Sequence, residues 1–275
     1  MVSFPNAKIN LGLNVIEKRA DGFHNIETIF IPISIKDALE IVISENAEDV
    51  DDFVTTGLLI DGDISKNLCV KAHQLLKKNF SIPPIKMHLH KAIPMGAGLG
   101  GGSADGAFAL TLLNDKLALN IPTPQLINYA LQLGSDCPFF IMNKSCFATS
   151  RGEEMHMLQL DLSAYDILII NPKIHIATAW AFANITPANP KKSIQQIIQQ
   201  PIETWKTELV NDFEEPVFKQ YPTIKNIKET LYNNHAVYAA MTGTGSTVFG
   251  IFKRENKPDT ITFDKEYFVK WVTVI

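Results

Sequence analysis

The segment Ile93-Pro-Met-Gly-Ala-Gly-Leu-Gly-Gly-Gly-Ser-Ala-Asp-Gly106 decides how the rest of the chain is interpreted, because it holds six of the 15 glycines. Alternating apolar residues over 85–91 predict a strand before it, and residues 103–113 predict a helix after it. Glycine allows positive φ angles and close approach of a phosphate to the backbone, and a helix N-terminus carries partial positive charge. The segment therefore predicts a phosphate-binding loop, in which the Ser103 hydroxyl would add a contact to phosphate or to a magnesium ion.

Two other interpretations of this segment stay open. Gly96, Gly98 and Gly101 also satisfy the G-x-G-x-x-G pattern of dinucleotide-binding folds, which needs a second parallel strand ending in an acidic residue. Residues 114–124 instead predict a loop that leads into another helix. A flexible loop without function is the second alternative, although six glycines would be costly in chain entropy there. No lysine follows the loop as it does in a Walker A motif, so the sequence does not indicate a P-loop NTPase.

Composition narrows the class of protein. The chain has 275 residues, 46% hydrophobic and 20% charged, which suits one large domain or two smaller ones with a sizeable core. The net charge of −4 disfavours a general nucleic-acid binder. Cys69, Cys137 and Cys146 are odd in number and form no CxxC pair, so we expect reduced thiols in a cytoplasmic protein. The sequence has neither a secretory signal nor a membrane-spanning apolar stretch, so no membrane partner is expected.

Hydrophobic periodicity and turn residues predict the remaining elements of an α+β protein. The predicted strands cover 9–15, 26–35, 39–43, 165–170, 236–240 and 248–252, and alternating apolar residues predict that the first of them is half-buried. The predicted helices cover 67–79, 123–134, 193–200, 208–220 and 223–233. Thr123 is expected to be the N-cap of the second of these helices, with Pro124 at its first position, where a proline is favoured. Pro216 is expected to kink or break the helix over 208–220. We expect two closely packed domains, at 1–155 and 156–275.

Three segments in order resemble the motifs of one superfamily of kinases. Pro94–Gly106 resembles the phosphate loop of the GHMP kinases, the superfamily of galactokinase and of homoserine, mevalonate and phosphomevalonate kinases. Pro5–Leu11 resembles the first motif, and Met241–Ser246 resembles the third, a glycine turn that supports the loop. The resemblance implies an ATP-dependent enzyme that uses Mg²⁺. It also implies a ribosomal-protein-like N-terminal half and a ferredoxin-like C-terminal half.

Four further segments are similar to one branch of the superfamily: Arg19–His24, Leu133–Phe139, Ala177–Trp180 and Asn211-Asp212. The resemblance implies that the substrate is a methylerythritol linked to cytidine diphosphate, phosphorylated on its 2-hydroxyl, in the non-mevalonate route to isoprenoid precursors. Other possibilities are a homoserine or mevalonate type of GHMP kinase, a non-catalytic ATP-binding protein and an RNA-binding protein. The negative net charge argues against the last of these.

The resemblance assigns two catalytic residues. Asp136 would accept or orient the proton of the substrate hydroxyl, and Lys8 would stabilise the carboxylate and the developing alkoxide. Their charged groups are therefore expected to lie within about 6 Å of each other. Without the motifs, Lys8 would be interpreted as a solvated charge at a strand edge and Asp136 as a helix cap or turn residue.

The resemblance also assigns residues to ATP binding and to substrate binding. Without the resemblance, these residues could be interpreted as core or helix-capping residues. The expected ATP contacts are Asn67, Leu68, Lys91, Pro94, Met95, Gly96, Ala97, Gly98, Leu99, Gly100, Gly101, Gly102, Ser103 and Ala104. The expected substrate contacts are Asn10, Phe23, His24, Thr178 and Phe182, with both phenylalanines on the cytosine ring. No histidine spacing indicates a metal site in the protein itself. Ala104 and Gly106 replace the usual serine and alanine of the loop, which puts one phosphate or metal contact in doubt.

Overall fold

The computed structural model describes residues 1–44 and 52–275. Its strands are β1 (Val2–Ser3), β2 (Asn6–Lys18), β3 (His24–Lys36), β4 (Ala38–Ile43), β5 (Asp52–Gly57), β6 (Ile85–Lys91), β7 (Cys146–Thr149), β8 (Glu154–Met157), β9 (Tyr165–Asn171), β10 (Tyr238–Met241), β11 (Val248–Lys253) and β12 (Phe268–Val272). Its helices are α1 (Leu68–Lys77), α2 (Gly101–Lys116), α3 (Thr123–Leu133), α4 (Cys137–Met142), α5 (Thr178–Ala183), α6 (Ile194–Ile197), α7 (Trp205–Glu208), α8 (Glu214–Gln220) and α9 (Pro222–Asn233). The mixture confirms the predicted combination of helices and sheets.

The first of two compact units comprises Met1–Ala7, Ile35–Met95 and Gly100–Asn143. Its sheet has the order β1-β4-β6-β5, in which only β5 and β6 run parallel. Helix α2 packs against α1, α3 and α4. Helix α1 contributes Cys69, Ala72, His73 and Leu76 to the interior, which is the spacing of one helix face.

The second unit comprises Lys8–Ser34, Gly96–Leu99 and Lys144–Ile275. It contains an antiparallel sheet of order β10-β11-β9-β12 and another sheet of order β2-β3-β7-β8. Helix α9 packs on β10 and β11 and buries apolar side chains at helical spacing. The expected boundary between residues 155 and 156 stays a prediction.

Several predicted elements agree closely with the structure. Strands β3, β4, β6 and β9 and helices α1 and α9 lie within two or three residues of their predicted bounds. These elements have strong local patterns: β6 alternates buried and exposed positions, and α9 has an apolar face. Local sequence was sufficient for β6, α1 and α9 because each has one face to the core and one to solvent, whereas β3 and β9 are largely buried and were recognised by their runs of apolar and β-branched residues.

Three expectations were wrong in detail. Strand β2 is buried continuously from Asn6 to Val15 rather than half-buried, since polar side chains along it face the interior as well. Of the single helix expected over 208–220, only Glu214–Gln220 forms as α8, and residues 209–213 separate it from α7, which ends at Glu208. Pro216 does not break α8, because it lies in the first turn, where its missing N–H needs no partner. Helix α3 has Pro122 rather than Thr123 at its N-cap.

The three cysteines are free and buried. Burial raises the pKa of Cys137 and of Cys146 to about 12, and that of Cys69 well above its usual value. The thiols are therefore protonated and shielded in the folded protein, in agreement with the expectation that no disulfide forms. Among the helices described, none is long and apolar enough to cross a membrane.

Candidate active site

The glycine-rich loop has the backbone of a phosphate-binding loop. Gly96, Gly98 and Gly100 have φ angles of +61°, +76° and +71°, and α2 begins immediately afterwards at Gly101. The first N–H groups of a helix have no partner within the helix, and at the N-terminus of α2 no side chain caps them. A 16-residue helix that starts without a side-chain cap after a left-handed glycine turn is suited to bind an anion.

Residues 96–99 of this loop are held within the second unit. The backbone N–H of Lys8 donates to the Leu99 carbonyl at 2.9 Å, and that of Thr247 donates to the Ala97 carbonyl at 3.3 Å. A Cβ atom at Gly98 would overlap the carbonyl oxygen of Thr242. Glycine is required at this position by the close contact as well as by the positive φ angle.

The side chain of Lys8 is buried, with 3% of the residue exposed, and is not a solvated strand-edge charge. Its Nζ donates to Asn10 Oδ1 at 2.6 Å and lies 4.9 Å from the centroid of the Phe30 ring. Asn10 Nδ2 in turn donates to the Thr28 hydroxyl at 2.9 Å. A lysine on a buried strand, oriented by an amide and an aromatic ring, is a fixed positive charge suited to stabilise negative charge in a reaction.

The turn after β10 connects the Lys8 region to the loop through Thr242. The Thr242 hydroxyl accepts the backbone N–H of Asn10 at 3.0 Å. It lies 3.1 Å from the Gly98 carbonyl and 3.2 Å from Asn10 Oδ1, and it can donate its single proton to either. The motif resemblance included the segment Met241–Ser246, but no local pattern distinguishes the Thr242 hydroxyl from the other polar groups in it.

Asn211 holds the same turn from the other side. Its Nδ2 donates to the carbonyls of Met241 and Gly243 at 2.7 and 2.9 Å, and its Oδ1 accepts the backbone N–H of Phe213. Glu214 accepts the backbone N–H of Met241 at 2.8 Å. Sequence resemblance indicated the segment Asn211-Asp212 without a role for either residue, and the hydrogen bonds of Asn211 show that its side chain fixes the turn.

Two of the expected substrate contacts, His24 and Phe182, form an aromatic pair within the second unit. The rings of His24 and Phe182 stack with centroids 4.7 Å apart, and Phe182 contacts Phe213 edge-on at 4.9 Å. Phe23 is 49% exposed, with the Arg151 guanidinium 4.9 Å from its ring centroid. Thr178 is exposed at the first position of α5. The structure thus groups His24 with Phe182, and it leaves Phe23 on a separate contact.

The first unit contains the other predicted residues. Asp136 occupies the N-cap position of α4 without a side-chain capping bond, so capping does not account for it. Asn67 caps α1 by accepting the backbone N–H of Cys69 at 2.9 Å. Met95 is 45% exposed, whereas Ala104 is fully buried.

The side chain of Lys91 is fully buried and ion-paired with two carboxylates. The expected ATP contact at this position would therefore be made by the Lys91 backbone, and it stays a prediction. The expected separation of about 6 Å between Lys8 and Asp136 stays a prediction. These two residues belong to different units.

Comparison with known proteins agrees with this geometry. The GHMP kinases N terminal domain matches residues 67–144, and the GHMP kinases C terminal domain matches residues 193–262. The 4-diphosphocytidyl-2-C-methyl-D-erythritol kinase of Parabacteroides distasonis is 50% identical over 254 residues, covering 92% of each chain. The enzyme of that name from Bacteroides fragilis is 47% identical over 267 residues, covering 97% of each chain. The chain belongs to the 4-diphosphocytidyl-2-C-methyl-D-erythritol kinase family of GHMP kinases.

A solved structure supports the fold of this GHMP kinase. The crystal structure of a 4-(cytidine 5'-diphospho)-2C-methyl-D-erythritol kinase superposes with a TM-score of 0.80 at 24% identity, covering 99% of each chain. The resemblance inferred from three short motifs is therefore confirmed at the level of family and fold. The individual site residues remain assignments to be tested.

Proposed function

We propose that the chain is an ATP-dependent kinase that transfers the γ-phosphate to the 2-hydroxyl of 4-diphosphocytidyl-2-C-methyl-D-erythritol. The product would serve isoprenoid precursor biosynthesis by the non-mevalonate route. Relatives at 47–50% identity over nearly the whole chain carry the name of this enzyme. The observation in the structure that best supports the proposal is the loop of three left-handed glycines that ends at an uncapped helix N-terminus.

The ATP phosphates would lie against the backbone of residues 96–102. Successive N–H groups and the α2 dipole would offset the phosphate charge, with Ser103 placed to add a hydroxyl in the first turn. Among the residues described, no three acidic, histidine or cysteine side chains group into a metal site. Magnesium would therefore be held mostly by phosphate oxygens and water, which suits its preference for retaining water. When bound, it would neutralise charge on the transferred phosphoryl group.

Lys8 and Asp136 would carry the chemistry on the alcohol. Asp136 would accept the hydroxyl proton as the oxygen attacks, and the buried Lys8 ammonium would stabilise the charge that develops. Asn10 Oδ1 accepts a hydrogen bond from Lys8 Nζ, so the main role of Asn10 would be to orient Lys8. A contact between Asn10 and the substrate would be secondary to this role. In phosphoryl transfer the protein forms few covalent bonds itself. Much of the rate enhancement comes from positioning the alcohol and the γ-phosphate and from stabilising their charge.

The cytosine ring would extend the stack formed by His24 and Phe182. A flat aromatic pair offers a face to a base, and the His24 ring nitrogens, which lie in the plane of their ring, can donate or accept hydrogen bonds to other groups of the substrate. Burial and the nearby Lys18 lower the pKa of His24, which favours a neutral ring for this task. Phe23 and Thr178 are exposed and would complete the contact with the substrate.

A cytoplasmic location is part of the proposal. Three buried, unpaired thiols suit a reducing compartment, and a pathway intermediate with a charged diphosphate is a water-soluble substrate.

The direct test is a coupled assay of ADP release with ATP, Mg²⁺ and 4-diphosphocytidyl-2-C-methyl-D-erythritol, with homoserine and mevalonate in parallel. We expect release only with the cytidine substrate. Release only with another alcohol would retain the GHMP kinase and overturn the cytidine assignment. A folded protein that binds ATP and releases none with any alcohol would favour a non-catalytic role.

A further inference from the structure

A buried ion cluster in the first unit joins three residues that the chemistry above does not use. Lys91 lies at the end of β6, Asp37 between β3 and β4, and Asp105 in α2. Lys91 Nζ forms ion pairs with Asp37 Oδ2 and, at 2.8 Å, with Asp105 Oδ2. All three side chains are at most 3% exposed.

The cluster is bonded to both flanks of the glycine-rich loop. Asp37 Oδ1 accepts the backbone N–H groups of Ala92 and Ile93 at 2.6 and 2.9 Å, immediately before the loop begins. Asp105 belongs to the second turn of α2, directly after the loop ends. Lys91 connects the two carboxylates, so one set of buried charges fixes where the chain enters the loop and where it leaves.

Close packing at Gly101 gives independent support for a fixed geometry. A Cβ atom there would lie 2.8 Å from Ile93 Cγ2 and 3.1 Å from Lys91 Nζ. The first residue of α2 therefore packs directly against the cluster, without space for a side chain. The N-terminus of the helix cannot shift toward β6 while Lys91 holds this position.

Charge and hydrogen bonding show that the cluster is not arranged for stability alone. One ammonium faces two carboxylates, and Asp105 Oδ1 has no hydrogen-bond partner among the described residues. A buried ion pair is often no more stabilising than apolar residues of similar volume, and an unpaired buried oxygen adds a further cost. Such a cost is typical of groups kept for positioning.

We propose that Asp37, Lys91 and Asp105 form a clamp that sets the spacing of the two ends of the phosphate loop, and that Lys91 and Asp105 are positioning residues for ATP binding. The proposal rests on the proposed function. It gives the buried Lys91 side chain an indirect role, in addition to the predicted ATP contact at this position. In the clamp, Asp37 holds the entry to the loop, Asp105 holds the exit, and Lys91 sets the distance between them.

The experiment compares Asp105→Ala, Asp105→Asn and a matched control, Asp166→Ala. Alanine breaks the clamp at the loop exit and leaves Lys91 paired with Asp37, whereas asparagine retains an oxygen for Lys91. Asp166 forms ion pairs with Arg254 and Lys257 in the second unit, on β9 and away from the residues of the clamp in the sequence, so its loss should affect stability alone. ATP affinity is measured calorimetrically with Mg²⁺, and amide hydrogen exchange of residues 92–105 is followed without nucleotide.

We expect Asp105→Ala to bind ATP at least about tenfold more weakly, with faster exchange over 92–105. Asp105→Asn should stay within about threefold of wild type, and Asp166→Ala within about twofold. Unchanged ATP affinity and exchange in Asp105→Ala, with a fall in Tm like that of Asp166→Ala, would overturn the clamp. If Asp105→Ala does not fold, the double variant Lys91→Met/Asp105→Ala takes its place, because it removes one buried charge of each sign. The same criteria for ATP affinity and hydrogen exchange then apply.

The two readouts separate the clamp from the proposed function. If wild type fails to turn over the cytidine substrate, the proposed function is wrong while the exchange result still decides the clamp. If turnover is as proposed and neither readout moves in Asp105→Ala, only the clamp is wrong.

Discussion

The hydroxyl of Thr242 lies 3.1 Å from the carbonyl oxygen of Gly98, although the two residues are 144 positions apart in the chain. The same hydroxyl accepts the backbone N–H of Asn10, whose side chain accepts from Lys8. One oxygen therefore relates the glycine-rich loop to the strand that carries the proposed catalytic lysine. This arrangement makes the turn after β10 an active part of the site.

Replacing Thr242 by valine should lower kcat/KM for ATP by about 10- to 100-fold. Valine has nearly the same shape, but it leaves the buried Asn10 N–H and the Gly98 carbonyl without this partner, at a cost of about 1–3 kcal/mol for each buried group. Steady-state kinetics at varied ATP concentrations measure the loss. Thr242→Ser should restore most of the activity.

The control for this change is Thr230→Val, which removes a hydroxyl bonded to the Asn226 carbonyl on α9 in the same unit. It should leave kcat/KM within about twofold, since exposed hydrogen bonds contribute little. Equal kinetics in Thr242→Val and Thr230→Val would show that the Thr242 hydroxyl does not position the loop.

Asp136→Asn should lower kcat by roughly 10²–10⁴ with ATP affinity nearly unchanged, because an amide cannot accept the substrate proton. Single-turnover measurements with the cytidine substrate isolate this step. Asp115→Asn, an exposed change on α2 of the same unit, serves as the control. A turnover near that of wild type in Asp136→Asn would remove Asp136 from acid–base catalysis.

Phe182→Ala should raise KM for the cytidine substrate about 5- to 100-fold and change KM for ATP by less than about twofold. The expected size follows from the roughly 1–3 kcal/mol of one base–aromatic stack. Phe218→Ala is a matched control, because Phe218 packs on the same apolar core as Phe182 without contacting His24. A similar increase of both KM values would indicate a general packing defect.

Asp105 gives the free energy of unfolding a pH dependence of defined sign. Burial raises the pKa of Asp105 from 3.8 to about 7; the facing groups are Lys91, which lowers it, Asp37, which raises it, and the Cys69 thiol on α1. The folded state therefore holds the proton more tightly than the unfolded state. The contribution of Asp105 to stability is largest below pH 4 and is lost between about pH 4 and 7, by up to about 4 kcal/mol.

Urea unfolding of wild type and Asp105→Asn from pH 4.5 to 8.5 measures this contribution, since the other titrating groups are shared. Relative to the variant, wild type should lose stability as the pH rises to about 7 and then stay constant. A difference that does not vary with pH would mean that Asp105 titrates alike in the folded and unfolded states.

Local patterns were enough to predict the elements with one buried face, such as α1 and β6. They failed for β2, where both faces are covered, and for the short strands β1, β7 and β8, which exist only because a partner strand lies beside them. Two to four residues contain too little periodicity to be recognised. Tertiary pairing, which the sequence does not display, decides such segments.

The same limit applies to the site. The loop was evident because six glycines are clustered between residues 96 and 106, and motif resemblance located Lys8 and His24. The contacts that fix the backbone on either side of the site were not evident: Asn211 bonds the Met241 carbonyl 30 positions away, and Asp37 bonds the Ile93 N–H 56 positions away. No local signal marks a side chain whose task is to hold a distant carbonyl or N–H group.

The burial of all three cysteines has a practical consequence for spectroscopy. The native thiols are shielded and stay protonated at neutral pH, so maleimide reagents should leave them largely unmodified in the folded protein. One cysteine introduced on the surface of each compact unit could then carry a fluorescent dye without any change to the native sequence elsewhere. The fluorescence of each dye, recorded as ATP and then the cytidine substrate are added, would report ligand binding to the unit that carries it, without background from the native thiols.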